Sequence, residues 1–109
     1  MPHNEQLAAR MRQHLGARPG VVEKKMFGGV AFLVHGNMCV GVHKDDLVVR
    51  IDPAESDAAL AEPGVRIFDI TGRPMKGWLL VNATAIANDA TLAAWLDRGF
   101  TFASSLPAK

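Results

Sequence analysis

Four histidines, one cysteine and a few acid pairs are the residues whose types suit metal binding, nucleophilic attack or proton transfer. His3, His14, His35 and His43 each lack a second ligand at metal-site spacing, and no cysteine pair exists, so no metal site is expected. Cys39 falls in mid-strand with no cation beside it in sequence to favour the thiolate. It reads as a small buried hydrophobe. No Gly-x-Ser-x-Gly elbow is present, and Ser56, Ser104 and Ser105 have no histidine close in sequence. Asp45-Asp46 reads as a turn and Asp52-x-x-Glu55 as a helix cap. No catalytic residue and no cofactor are expected.

A basic constellation remains. Lys24, Lys25, Arg50, Arg73 and Lys76 are candidates to gather near Gly28-Gly29, whose backbone N–H groups can form an anion-binding nest. That glycine pair lies between two strands with no Lys-Ser or Lys-Thr after it, so it is not a nucleotide-phosphate loop. The plainer account makes Lys24 and Lys25 solvated strand residues and Gly28-Gly29 a bulge or sharp bend. Trp95 sits on a helical core stripe, whereas Trp78 opens a strand and stays a candidate. The candidate binding set is therefore Lys25, Gly28, Gly29, Arg50, Lys76 and Trp78.

These residues have to be positioned by predicted elements. Leu7, Ala8, Met11 and Leu15 recur at helical spacing over 4–15, with Asn4 as cap and Gly16 as stop. Residues 21–27 read as a short strand. "VAFLVH" and "MCVGVH" flank Gly36-Asn37, which predicts a two-residue hairpin turn. That register sets Leu33 against Val40, Ala31 against Val42 and Phe32 against Gly41. "KDD" (44–46) is a second turn, and a four-residue loop pairs His43 with Val48. Val49 and Ile51 then join Val40 and Val42 on the apolar face, with Arg50 on the other face beside Gly41. Asp52-Pro53 starts a short helix, 65–70 and 77–82 are strand candidates, and Asn88 or Asp89 opens a C-terminal helix. Leu92, Trp95, Leu96, Phe100 and Ala103 form its apolar stripe. The expected fold is α+β: an antiparallel sheet of about five strands with N- and C-terminal helices packed on one face.

The chain has 109 residues, 49% of them apolar, which fits one domain spanning 1–109. Twelve basic and 11 acidic side chains leave a formal charge of +1. That balance gives no general pull toward nucleic acid or an anionic membrane, so no specific DNA binding is expected. One thiol, no signal-peptide core and no apolar run of membrane-spanning length point to the cytoplasm. Edge strands such as 21–27 or 65–70 make a homodimer an expected assembly.

"KKMFGGVAFLVHGNMCVGV", "LVVRID", "GRPMKGWLLV" and "LAAWLDRGFTFASSLPAK" together resemble the TfoX N-terminal domain family, linked to bacterial regulators of competence for DNA uptake. The resemblance runs from about residue 10 to the end. It implies an α+β domain similar to the secretion-chaperone fold, and it supplies no catalytic residues. The function it implies is a non-enzymatic regulatory or protein-interaction module. The alternative is a small-molecule or anion-binding domain using the Gly28-Gly29 turn with Arg50 and Lys76.

Overall fold

Leu7, Ala8, Met11 and Leu15, spaced three or four apart, are the buried side of helix α1 (Glu5–Leu15). The structure is a computed structural model that describes residues 5–26, 29–68 and 75–107. Strands β1 (Val21–Met26), β2 (Gly29–Val34), β3 (Asn37–His43) and β4 (Asp46–Arg50) follow in succession. A short 3₁₀ turn (Pro53–Glu55) leads into α2 (Ser56–Leu60). Then come β5 (Val65–Phe68), β6 (Met75–Val81) and the long α3 (Asp89–Ser105). All the strands join one antiparallel sheet in the order β1-β2-β3-β4-β6-β5. The α+β class and the antiparallel sheet are as expected; the described residues form six strands instead of about five, because 65–70 and 77–82 both supply a strand.

The helix caps follow the residues that predict them. Asp52 Oδ1 accepts the Ala54 N–H at 2.9 Å, with Pro53 in the first position behind it. Asn88 Oδ1 accepts from Ala90 N–H at 2.8 Å and from Thr91 N–H at 3.2 Å. Each such cap contributes about 1 kcal/mol. The Asn4 cap lies outside the described residues.

The first hairpin corrects the expected register. Val34 faces Asn37, so the two turn residues are His35 and Gly36, not Gly36 and Asn37. Both have positive φ, 50° and 84°, the requirement of a turn that matches strand twist. Asn37 is occupied elsewhere: its buried side chain donates to Pro107 O at 2.9 Å. The register then shifts at Phe32/Leu33, which leaves Cys39 as the extra residue of a bulge. Phe32 consequently faces Val40, and Gly41 faces Ala31. Ala31 and Leu33 do not share a face with Val40 and Val42; Val30, Phe32 and Val34 do.

The second hairpin has a two-residue loop, with His43 facing Asp46, so the expected pairing of His43 with Val48 slips by two. An even slip preserves the faces. Val49 and Ile51 therefore lie with Val40 and Val42 in the main core, and Arg50 lies off it. Opposite Gly41, however, stands Val48.

α3 packs on β2, β3 and β4, and α1 packs against α3 and β3, on the same side of the sheet. Leu92, Trp95, Leu96 and Ala103 are buried as expected; Phe100 is only partly buried, and Gly99 joins the stripe. A β-carbon on Gly99 would stand 2.7 Å from Cys39 O, so glycine is what lets the helix rest on the strand backbone. The other sheet face carries a smaller cluster of Val48, Phe68 and Leu80, flanked by Met38 and Trp78. No helix among the described residues is long and apolar enough to cross a membrane.

Candidate functional site

Arg50 ends β4 directly opposite Trp78 of β6. Val49 and Ile51 take the core face, so the alternation of the strand turns Arg50 the other way. Gly77 sets the approach of the two strands. Its φ is +86°, its oxygen accepts the Ile51 N–H at 2.8 Å, and its N–H reaches the buried Ser56 Oγ at 3.3 Å. A β-carbon at Gly77 would stand 2.9 Å from Ile51 O, so a side chain there would push β6 off β4 just before Trp78.

The guanidinium carbon of Arg50 lies 5.1 Å from the centroid of Trp78 and 5.6 Å from that of Phe102 on α3. Trp78 in turn leans on Phe68, with centroids 6.2 Å apart and rings tilted by 50°. Among the described residues Arg50 meets no carboxylate. The guanidinium thus lies near both rings, and among the described residues no carboxylate takes its N–H donors. An Arg fork of this kind suits carboxylate or phosphate.

The other candidates are placed elsewhere. Lys25 is exposed on β1, where it faces Val30, and Gly29 begins β2 opposite Met26. Three strand spacings and about three residues of rise separate Lys25 from Arg50, so their Cα atoms are about 17 Å apart. The two also belong to opposite faces of the sheet, since Lys25 pairs with the core residue Val30. Lys25 and Gly29 therefore do not join Arg50 around one anion. Lys76 is exposed, two residues before Trp78. Gly28 and Arg73 lie outside the described residues. Phe102, which the sequence analysis missed, completes the cluster. Its one signal is its place seven residues after Trp95, at the margin of the helical stripe.

The groups with reactive chemistry are otherwise engaged. Cys39 is fully buried, its thiol donates to Phe32 O at 3.2 Å, and burial pushes its pKa up to about 11. His14 Nε2 lies 2.9 Å from Asp97 Oδ1, and Arg18 donates to the same oxygen at 2.7 Å. Partial burial pushes the Asp97 carboxyl up, but its hydrogen bonds and charge contacts with His14 and Arg18 outweigh that and hold it below the ordinary 3.8. Asp46 takes Arg66 at 2.6 Å. Among the described residues no group of three His, Cys, Asp or Glu side chains is placed to hold a metal ion.

Compared with known proteins, the chain matches the model of the TfoX N-terminal domain over residues 13–103. No curated protein and no solved structure matches it.

Proposed function

The chain belongs to the TfoX N-terminal domain family, and from that premise we propose that it is a non-enzymatic regulatory module of the cytoplasm that works by gripping another protein. The observation that carries this reading is the corner formed by Arg50, Trp78 and Phe102. Arginine and tryptophan are the residue types that dominate binding energy where proteins meet, above all when held rigid before contact. Here the rings hold the guanidinium while no carboxylate of the described chain takes it. The resemblance to competence regulators supports a regulatory role for that contact. The burial of the Cys39 thiol supports a role without nucleophilic chemistry. With a net charge of +1, specific binding of duplex DNA is not proposed.

Affinity capture from native cell extract tests the reading, with wild type and Arg50→Ala as paired baits of equal fold content. The expected outcome is a protein retained by wild type and lost by the variant. Identical captures by the two baits refute it. A second reading, a small anion held by Arg50, is favoured by the exposed Lys76 two residues before Trp78. Saturable shifts of the Trp78 indole N–H in a titration with inorganic phosphate would transfer the assignment to that reading.

A further inference from the structure

An open groove of about 440 Å³ runs beside the Arg50 corner, with the buried Ile51 lining it and Phe102 as a wall shared with Arg50. Its volume is in the range of ligand-binding clefts. The charges along it differ in how far they are spent. Asp97 is held by His14 and Arg18, and Arg98 is held by Glu62 at 2.9 Å. Asp52 uses one oxygen to cap Ala54, and Glu55 meets no cation among the described residues. Both Asp52 and Glu55 are exposed and line the groove, with the hydroxyls of Thr101 and Ser105 also in its lining. Arg50, which meets no carboxylate among the described residues, therefore lies next to the groove across Phe102, and carboxylates with spare acceptor capacity line it.

The geometry points to a dipolar occupant: a segment of the partner protein that presents an acidic side chain to Arg50 and a basic side chain to Asp52 and Glu55. This rests on the protein-contact reading above and names the chemistry of the partner at that same site. A carboxylate meets the Arg50 fork, which lies near Trp78 and Phe102 and meets no carboxylate among the described residues. A lysine or arginine stem lies along Ile51 and Phe102 and delivers its charge to the carboxylates, the usual way a long basic side chain covers apolar surface. A purely acidic segment is repelled by the groove, and a purely basic one by Arg50. Charge order thus selects the partner as well as attracting it.

The test is a titration followed by amide and indole chemical shifts, with four capped dipeptides: Ac-Glu-Lys-NH₂, Ac-Glu-Gln-NH₂, Ac-Gln-Lys-NH₂ and Ac-Gln-Gln-NH₂. Each correct charge is expected to tighten binding about 3-fold and the two together about 10-fold, the scale of solvent-exposed ion pairs. Shifts should centre on Ile51, Trp78 and Phe102. Arg50→Gln should erase the advantage of Glu alone, and Glu55→Gln that of Lys alone. Affinities that ignore charge, variants that bind all four dipeptides as wild type does, or no saturable shift at all would overturn the inference. None of these results bears on whether Arg50→Ala loses a captured protein, so the two readings fail separately.

Discussion

Arg18 and Arg50 each lay a guanidinium over an aromatic ring carried by α3, and the likeness ends there. Arg18 stands 4.8 Å from the Phe100 centroid and also binds Asp97, which takes His14 on the same oxygen. Its charge is spent on clamping the end of α1 to α3. Arg50 stands between Phe102 and Trp78 and meets no carboxylate of the described chain. Arg98, 4.1 Å from Trp95 and bound to Glu62, sides with Arg18. A ring contact contributes about 0.5–1 kcal/mol at an exposed site and says little about purpose. Where the remaining charge goes is what separates an arginine that serves the fold from one that serves a partner.

The largest expected effect removes the platform common to both. Gly99→Ala drives a β-carbon toward Cys39 O, a backbone atom that cannot swing aside, so α3 must lift from β3. The gain in helix propensity offsets only part of this, and the net loss is expected to be about 2 kcal/mol by urea denaturation. A Gly99→Ala protein as stable as wild type would mean that this seating does not set the height of Asp97, Phe100 and Phe102.

Asp97→Asn acts on the Arg18 side alone. Because Asp97 is half-exposed, solvent screening limits the loss to about 1 kcal/mol at pH 7. The sign with pH follows from its lowered pKa. As pH falls, the unfolded chain takes up this proton first. The stabilisation is therefore present above the ordinary 3.8 and is lost as pH drops through the lower folded value. Wild type and Asp97→Asn should thus differ at pH 7 and converge as the pH falls below the ordinary 3.8 and on through the lower folded value. A gap that persists in acid would assign the loss to packing instead of charge.

Arg50→Ala closes the series: its two ring contacts on a half-buried side chain should contribute about 1 kcal/mol, no more than Asp97→Asn and well below Gly99→Ala. A Tm drop as large as that of Gly99→Ala would place Arg50 among the arginines that serve the fold and erase the contrast.

Much of this organisation could be read from residue order. The α1 stripe, the Asp52 and Asn88 caps and the placement of Arg50 off the core follow from spacing and local hydrogen-bonding chemistry. The faces of the second hairpin survived a wrong loop length because the slip was even. The first hairpin did not, since two tertiary demands override its turn residues. Asn37 is taken by Pro107, and Cys39 bulges out of the ladder to lie under α3. A local reading sees neither, for each depends on an element many residues away. Of the binding set, Arg50 and Trp78 were legible as residue types only: their juxtaposition comes from the pairing of β4 with β6, and Phe102 arrives through the packing of α3, neither of which local spacing shows.

The tight meander has a kinetic consequence. β1 to β4 are joined by two-residue connections, so each closes almost without loop entropy, and such hairpins form in about 1–10 μs. The α1–α3 clamp instead links residues 79 and 83 positions apart, the kind of contact that forms late. Interactions made after the barrier govern escape from the folded state and not arrival at it. The deficit of Asp97→Asn should therefore fall on the unfolding limb. In that sense α1 is a latch on the lifetime of the domain, closing a sheet that the meander has already assembled.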